Sequence, residues 1–403
     1  MISGPAFSGW PFLLKAYTYQ NYPAFLLFLR MRYPILLLSS ILFFCMAFKK
    51  ADKERRKPVV IAYVGGYRGL IKDPASIEVE KLTHINYAFV DVKKGQAWLT
   101  NEATDSINFR TLNALKQRNP DLKILISIGG WSWSENFSDA VLTEQGQQLF
   151  AATAVDIVRK YKLDGVDIDW EYPGVPGEEG NIYRPEDKKN YTLMFKAIRL
   201  SLDSLEKETG KKYQLTTAVG GGQYFIDHTE MHIAQQYLDY VNIMSYDYKT
   251  NEKGIAGHHT NLYGSTKDST EASADRSVKL YLRAGVPAEK LVMGVAFYGR
   301  GWTMPDGDNK GLNRQALKGA RSGGYTRLKD SLMVQGYDRH WDKRAKAPYL
   351  FHPVNNVFIT YDDERSVKAK CKYVKKYKLG GVMFWEYSSD PKGYLLHAIN
   401  QSF

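Results

Sequence analysis

Acidic side chains recur at every second position in the stretch DGVDIDWEYP, residues 164–173. With the two-residue period of a β-strand, Asp167, Asp169 and Glu171 share one face, and the hydrophobic residues between them share the other. The hydrophobic face is suited to packing against helices, which directs the three carboxylates towards the inside of the fold. Asp164 is out of phase with this row, so we interpret it as structural.

Stacked carboxylates repel one another and lose hydration, so shared protons, hydrogen bonds or a cation must compensate. Three interpretations are open. The first is a solvated acidic edge, which the hydrophobic partner face disfavours. The second is a divalent-metal site, which no phosphate loop or histidine cluster accompanies. The third is acid/base catalysis, in which Glu171, at the C-terminal end of the strand, donates a proton while Asp169 and Asp167 share protons behind it.

Short hydrophobic segments alternate with longer amphipathic segments from Pro58 onward. The predicted strands are 59–64, 84–90, 123–128, 165–170, 214–218, 240–245, 291–297 and 381–385, and the predicted helices include 105–118, 143–161, 187–209, 271–284 and 364–377. Eight β–α units predict an α/β fold, a (β/α)8 TIM barrel over 58–403. The alternative is a doubly wound open sheet, but no Gly-x-Gly-x-x-Gly follows the first strand.

The regular spacing fails once, because more than 80 residues separate Phe297 from the eighth strand. We therefore predict a small α+β subdomain over 301–358, inserted between strands 7 and 8. Insertions of this kind lie on the catalytic face of a barrel, where they form a wall for the substrate.

The net charge of +12 is concentrated in the first 57 residues, which contribute +7 of it. Neither a helix-turn-helix nor a zinc-finger or RNA-reading signature accompanies this charge, so we expect no nucleic-acid binding. Of the two cysteines, Cys45 lies in this segment and only Cys371 lies in the predicted barrel, which excludes an internal disulfide framework and a cysteine zinc site there. No metal and no other cofactor is expected.

Residues 1–57 form an N-terminal leader. Its hydrophobic run after Arg32 is about 16 residues long, shorter than the roughly 20 that a transmembrane helix needs and closer to the core of a secretory signal. Met31 offers a second start within it. The basic cluster that follows the run favours a membrane anchor instead. We therefore expect a protein that is secreted, or attached to the cell surface or membrane through the leader.

The acidic stretch, Asp-x-x-Asp-x-Asp-x-Glu at 164–171, resembles the signature of the glycoside hydrolase family 18 chitinases. Four further segments resemble motifs of that family in the same order: SIGGW (127–131), MSYD (244–247), GVAFYGR (294–300) and GGVMFWE (380–386). Ala296 stands where the family frequently has proline. The likeness covers nearly all of 58–403, and the insertion resembles one that deepens the cleft in one branch of the family.

The resemblance implies a retaining chitinase that cleaves β-1,4 linkages in N-acetylglucosamine polymers or oligomers, with the substrate's own acetamido group as nucleophile. In this scheme Glu171 is the general acid and base, and Asp169 stabilises the acetamido group. Asp167 holds the proton that Asp169 exchanges, and Tyr246 donates to the acetamido carbonyl. Ser127 is a predicted hydrogen-bond partner of the two aspartates.

The resemblance also implies substrate-binding positions. Trp385 is expected to form the floor beneath the distorted sugar, and Asp247 and Arg300 are expected to bind the sugar at the cleft. The other expected substrate-binding residues are Tyr63, Phe89, Gly130, Trp131, Tyr172, Met244, Tyr298 and Met383. Core packing is the alternative role of the hydrophobic residues, and an ion pair between strand ends is that of Asp247 and Arg300.

Two other functions remain open on the sequence. A chitooligosaccharide-binding lectin on the same fold would lack the acid, and the presence of Glu171, Asp169 and Tyr246 argues against it. A metal-dependent phosphoester enzyme would use the row of carboxylates and would lose activity on chelation. The expected partner is chitin or a chitooligosaccharide.

Overall fold

The structure, a computed structural model, describes residues 57–403, in which the parallel strands of the barrel are short and largely buried, as such strands require. In chain order the strands are β1 (Val59–Gly65), β2 (His84–Lys93), β3 (Gln96–Trp98), β4 (Lys123–Gly129), β5 (Gly165–Asp169), β6 (Gln214–Gly220), β7 (Tyr240–Met244), β8 (Leu291–Ala296), β9 (Tyr298–Thr303), β10 (Lys318–Gly324), β11 (Asp338–Asp342), β12 (Ala347–His352), β13 (Val357–Thr360) and β14 (Gly381–Trp385). Except for Lys57, the predicted leader lies outside the described residues.

Eight parallel strands close into a barrel in the order β1, β14, β8, β7, β6, β5, β4 and β2, with β2 pairing back onto β1. The short strand β3 forms an antiparallel hairpin on β2. The predicted TIM barrel is therefore confirmed, and the doubly wound alternative is excluded.

Helices cover the outside of the barrel, and one further helix, Tyr325–Asp330, belongs to the insertion. Their bounds are Glu102–Ala114, Phe137–Ala140, Glu144–Tyr161, Asp187–Thr209, Gln223–Asp227, Met231–Ala234, Ala274–Arg283, Tyr325–Asp330, Glu364–Tyr377 and Tyr394–Asn400. Capping side chains fix several starts: Ser273 accepts a hydrogen bond from Arg276 N, and Asp363 forms a capping box with Ser366. Within the described residues, none of the helices has the length and hydrophobicity of a membrane span.

The insertion between β8 and β14 is a five-stranded antiparallel sheet in the order β10, β9, β13, β12 and β11, with the helix Tyr325–Asp330 beside it. The sheet extends from Tyr298 to Thr360, slightly beyond the predicted 301–358 at both ends. Its own hydrophobic cluster contains Trp302 and Phe358. The predicted α+β insertion is therefore confirmed as part of the fold.

The inside of the barrel has a hydrophobic layer and a polar layer. Val59, Ile61, Tyr240 and Val292 are buried in one interior cluster towards the N-terminal ends of the strands. The register places Asp167 opposite Ser127 on β4 and opposite Thr216 on β6, and it places Asp169 opposite Gly129, at the C-terminal end of β4. The carboxylates are therefore stacked above a hydrophobic plug that keeps water away from them.

Candidate active site

Asp167 lies completely buried inside the barrel and accepts four hydrogen bonds. Tyr63 Oη and Ser127 Oγ donate to Oδ2 at 2.9 and 2.8 Å. Thr216 Oγ1 and Asn242 Nδ2 donate to Oδ1 at 2.5 and 3.2 Å. Burial raises the pKa of Asp167, and these four donors oppose the rise because they stabilise the carboxylate. The predicted contact with Ser127 is present, and all four acceptor positions of the carboxylate are occupied.

Asp169 lies above Asp167 and lines a cavity at the C-terminal end of the barrel. Its side chain is buried, yet its Oδ1 has no hydrogen-bond partner among the described residues. Burial, followed by the negative charges of Glu171 and Asp167, raises the pKa of Asp169 well above its usual value. Burial and mutual repulsion therefore disfavour a third negative charge on the row, and one buried acceptor remains available to a ligand.

Glu171 follows the last residue of β5 by two positions and lines the same cavity. Burial, followed by the negative charge of Asp247, raises the pKa of Glu171 to about 8. Ser134 fixes the backbone at this strand end, because its hydroxyl donates to Asp169 O at 2.9 Å and accepts from Glu171 N at 3.1 Å. Glu171 is therefore a protonated carboxylic acid at neutral pH, held at the cavity wall.

Asp247 follows β7 and is bound by residues of β9 and of the loop after β7. Arg300 donates to both of its carboxylate oxygens, and Tyr298 Oη donates to Oδ1 at 2.7 Å. His259 Nδ1 lies 3.3 Å from the same oxygen. Burial opposes ionisation, but the hydrogen bonds from His259 and Arg300 outweigh it and hold the pKa of Asp247 well below its usual range. Asp247 is therefore a fixed negative charge beside the acid.

Tyr246 lies between this cluster and the acidic row. Its hydroxyl is 3.9 Å from Met383 Sδ, and burial raises its pKa, so the hydroxyl remains a proton donor. Tyr246 and Met244 both line the cavity, whereas Met383 is completely buried behind it.

Aromatic rings form the floor of the cavity. The Trp385 ring lies 5.4 Å from that of Phe89 at an interplanar angle of 17°, and 6.4 Å from that of Tyr67 at 8°. The Tyr63 ring packs against the other side of this group, 5.8 Å from Trp385. Such faces suit the C–H-rich side of a sugar ring. Gly130 contributes by leaving room for the Phe89 ring, since a Cβ there would lie 2.6 Å from a ring carbon.

Trp131 lies at the rim of the cavity with 53% of its surface exposed. Tyr172 supports it from behind, because the Tyr172 hydroxyl donates to Trp131 O at 2.7 Å and the two rings meet edge to face. Tyr172 itself is buried and does not line the cavity.

The cavity has a volume of about 980 Å³. It brings together most of the predicted site residues: Tyr63, Phe89, Gly130, Trp131, Asp169, Glu171, Met244, Tyr246, Asp247, Tyr298, Arg300 and Trp385. Asp167, Tyr172 and Met383 lie directly behind its wall.

Tyr67, Tyr224 and Tyr248 also line the cavity, although none lies in a recognised motif. Each follows a barrel strand by two to four residues, which is the one sequence signal that identifies them. Among tryptophans outside the predicted site, Trp133 lines the cavity, whereas Trp302 belongs to the core of the insertion.

Asp164, which the sequence assigns a structural role, lies at the opposite end of β5. It is buried and forms ion pairs with Lys116 and Lys211 at 2.5 and 2.8 Å. Within residues 57–403, no group of three or more histidine, cysteine or acidic side chains has the arrangement of a metal site.

A model of the Glycosyl hydrolases family 18 matches residues 59–390. Chitinase A1 of Niallia circulans is 38% identical over 379 residues, which cover 78% of this chain and 54% of that protein. Chitinase B of Serratia marcescens is 33% identical over 393 residues, which cover 81% of this chain and 77% of that protein. The chain thus spans about half the length of the first relative and about three quarters of the second.

Solved structures give the same result. A glycoside hydrolase family 18 N-acetylglucosaminidase from Paenibacillus barengoltzii is 44% identical, with a TM-score of 0.80 and coverage of 86% of this chain and 100% of that one. A Group IV chitinase from Ostrinia furnacalis, in complex with allosamidin, is 28% identical, with a TM-score of 0.76 and coverage of 86% and 98%. The acidic row, the cavity above it and the match over nearly the whole barrel agree, and this chain belongs to glycoside hydrolase family 18.

Proposed function

We propose that this protein is a chitinase-type hydrolase that cleaves β-1,4 linkages between N-acetylglucosamine units by a retaining, substrate-assisted mechanism. The observation that carries the proposal is the unpartnered Oδ1 of Asp169, a buried acceptor beside a protonated Glu171. A buried acceptor without a partner is unfavourable, and a ligand N–H would satisfy it. The acetamido N–H of N-acetylglucosamine has the required chemistry.

Glu171 supplies the proton for bond cleavage. With a pKa of about 8 it is protonated at neutral pH, and its place at the cavity wall lets it reach a glycosidic oxygen. As the bond between C1 and that oxygen breaks, the oxygen takes the proton and Glu171 becomes a carboxylate. The same carboxylate then accepts a proton from the incoming water.

The acetamido carbonyl oxygen acts as the nucleophile and forms a bond to C1, which gives a positively charged oxazolinium ring. Asp169 accepts the N–H and, as a carboxylate, stabilises this charge. Asp167 takes over the proton that Asp169 releases, and one of the three hydroxyls that donate to Asp167 turns away to make room for it. Tyr246 donates to the carbonyl oxygen and sets its angle of attack. Water then opens the ring from the face that the leaving group occupied, so the configuration at C1 is retained.

Trp385 and Phe89 provide the surface on which the sugar ring lies, and Asp247 and Arg300 provide charged hydrogen-bonding groups beside it. The relatives named above include chitinases and an N-acetylglucosaminidase, and chitin is itself a polymer of N-acetylglucosamine. This agreement supports N-acetylglucosamine polymers or oligomers as the substrate class.

Glu171→Gln tests the acid directly, with the exposed Glu179→Gln as a matched control from the following loop. We expect Glu171→Gln to lower kcat on a fluorogenic chitobiose derivative about 10²–10⁴-fold while calorimetry still detects chitooligosaccharide binding. The control should retain normal turnover. Near-normal turnover by the Glu171→Gln variant would remove Glu171 from this role.

Three further measurements test the mechanism. Early products followed by NMR should be the β-anomer, a fully deacetylated substrate should be inert, and a thiazoline mimic of the intermediate should inhibit. Loss of activity on chelation would favour the metal-dependent alternative. Sugar binding by the unmodified protein without any turnover would favour the lectin.

A further inference from the structure

Lysines mark the N-terminal ends of the barrel strands. Seven of the eight barrel strands have a lysine at their first residue or within the three residues before it, and β7 is the exception. Six of these, here called the basal lysines, are Lys57, Lys123, Lys162, Lys212, Lys290 and Lys378. The seventh, Lys81, forms an ion pair with Glu78. Because parallel barrel strands all start at one end, the basal lysines surround the end opposite the cavity.

The basal lysines are not used by the fold to balance acids. None of the six forms an ion pair with another described residue, and Lys57, Lys162, Lys212 and Lys378 are exposed. Lys290 is half-buried and donates to Gln235 O at 2.6 Å. Near the basal lysines, only three acidic residues of the described chain lack an ion pair, which is half the number of the basal lysines. They are Asp121, Glu206 and Glu289.

The partial negative charge at helix C-termini, which lie at the same end, accounts for part of this pattern. It accounts for two basal lysines, Lys162 and Lys378, which are the C-cap residues of the helices Glu144–Tyr161 and Glu364–Tyr377. It does not account for Lys57, which precedes every described helix, or for Lys123, which is the first residue of its strand. The excess positive charge is therefore a property of the barrel end itself.

The opposite end of the barrel carries exposed acids. Segments that follow the strands contain Glu135, Glu179, Asp227, Glu252 and Asp268, none of which forms an ion pair within the described part of the chain. Lysines such as Lys253 accompany them there, so this end is mixed in charge. The loops around the cavity are thus more acidic than the end that carries the basal lysines, whereas the insertion beside the cavity is basic, with eleven basic and five acidic residues in 298–360.

The chain enters the barrel at the end that carries the basal lysines. Val59 N donates to Gly380 O at 2.9 Å, which places the start of β1 beside the loop that contains Lys378. The residues just before it, 49–57, are mainly basic and follow the hydrophobic run of the leader. The segment before β1 thus combines a hydrophobic run, which is compatible with lipid, with further positive charge.

We propose that the end of the barrel that carries the basal lysines docks on an anionic phospholipid bilayer, with the cavity facing away from it. Lysines near an anionic membrane surface each strengthen binding about fivefold, and salt screens the effect. Acids around the cavity are repelled by the same surface, which favours one orientation. The cavity then remains open to a polysaccharide on the side away from the lipid. This proposal does not depend on the proposed reaction.

The test uses the full chain with vesicles of phosphatidylcholine alone or with 30% phosphatidylglycerol. The test variant replaces Lys57, Lys162, Lys212 and Lys378 by glutamine. The control variant replaces four exposed lysines distant from that end, Lys72, Lys253, Lys318 and Lys343, so that both variants lose the same charge. We expect the test variant to bind the anionic vesicles at least tenfold more weakly at about 0.1 M salt, and the control to change less than twofold.

Binding to phosphatidylcholine alone should be equal in all three proteins, and 0.5 M salt should abolish the difference. Equal losses in the two variants would overturn the proposal, because the leader or the total charge would then explain binding. The proposal would also be overturned if the wild-type protein showed no preference for anionic vesicles. Binding of duplex DNA or an anionic polysaccharide as tightly as the anionic vesicles would overturn it too. Turnover of a soluble substrate, measured in parallel, reports folding and should be unchanged in both variants.

Discussion

Arg300 donates two hydrogen bonds to Asp247, from Nε to Oδ1 at 2.7 Å and from Nη2 to Oδ2 at 2.6 Å. Although burial opposes its charge, the hydrogen bond from His259 and this paired geometry hold Asp247 ionised after the end of β7. Asp247 in turn is the second cause, after burial, of the raised pKa of Glu171. Arg300 belongs to β9, the first strand of the insertion, so the insertion contributes to the electrostatics of the acid as well as to the cavity wall.

Asp247→Asn should therefore move the basic limb of the pH profile of kcat/KM to lower pH. Glu171 must be protonated to act, and removing a neighbouring negative charge makes it ionise more readily, so its pKa falls below about 8. The profile is measured on a soluble chitobiose derivative. Asp227→Asn, which removes an exposed acid near the cavity, is the control and should leave the limb in place. An unchanged limb in Asp247→Asn would show that this charge does not tune the acid.

Thr216→Val removes the hydroxyl that donates to Asp167 Oδ1 at 2.5 Å and keeps the side-chain shape. Because this donor lowers the pKa of Asp167, its loss should raise that pKa and move the acidic limb of the profile to higher pH. We expect kcat to fall more than KM changes, since Asp167 acts behind the substrate.

Thr217→Val is a matched control for that change. Thr217 is the next residue of β6, is equally buried, and donates to Ile168 O at 2.8 Å instead of to a carboxylate. Thr216→Val should cost about 1 kcal/mol or somewhat more, because it removes one buried hydrogen bond. Thr217→Val also removes the contact between Thr217 Oγ1 and the Tyr191 hydroxyl at 3.0 Å, so its loss of stability should be at least as large. A shift of the acidic limb in both variants would mean that it reports general destabilisation.

Much of the site follows from the strand period and the motifs. The alternation of Asp167, Asp169 and Glu171 with hydrophobic residues predicts an inward acidic row, because a strand has only two faces. The contact of Ser127 with this row is predictable for a related reason, since a motif fixes its place at the end of the neighbouring strand. The insertion is predicted by the unusual length of chain before the eighth strand.

Other features depend on geometry that the sequence does not encode locally. Thr216 and Asn242 reach Asp167 only because of the register between neighbouring strands and the closure of the barrel. Tyr67 lies in a loop without a regular period, so no pattern predicts its stacking on Trp385. Met383 belongs to a motif at the strand end, but its place in the strand directs it behind the cavity wall.

Gly130→Ala should weaken substrate binding as well as stability. Gly130 has a φ of 82° and a ψ of 173°, a backbone conformation that is almost confined to glycine, and a Cβ there would lie 2.6 Å from the Phe89 ring. We expect a loss of about 1–3 kcal/mol from the backbone conformation and a further effect from displacement of Phe89 beneath Trp385. The added effect should appear as a higher KM for chitooligosaccharides.

Gly180→Ala separates the two contributions. Gly180 has a similar φ of 86°, but nothing lies within 4 Å of a Cβ built on it. This variant should show the backbone contribution in thermal unfolding with an unchanged KM. Equal KM values in the two variants would mean that the contact between Gly130 and Phe89 does not shape the sugar site.

Lys370→Met should be strongly destabilising, because Lys370 and Asp362 form an ion pair in which both side chains are completely buried. Lys370 Nζ donates to Asp362 Oδ2 at 2.6 Å and to Thr260 Oγ1 at 2.7 Å, directly behind the end of β8, where Ala296 N donates to the same carboxylate. Loss of the cation leaves a buried carboxylate with only neutral donors. Removing one partner of a buried pair costs about 3–5 kcal/mol, so the unfolding temperature should fall by several degrees.

Two further variants serve as controls for the prediction on Lys370→Met. Lys368→Met alters an exposed lysine of the same helix and should leave the unfolding temperature nearly unchanged. The double variant Lys370→Met with Asp362→Leu removes both charges, and buried pairs replaced by hydrophobic residues are often neutral or stabilising. It should therefore unfold at a higher temperature than Lys370→Met alone. A double variant that is less stable than the single one would show that Asp362 stabilises this strand end through its neutral donors, Thr260, Ala296 and Ser366, independently of the lysine.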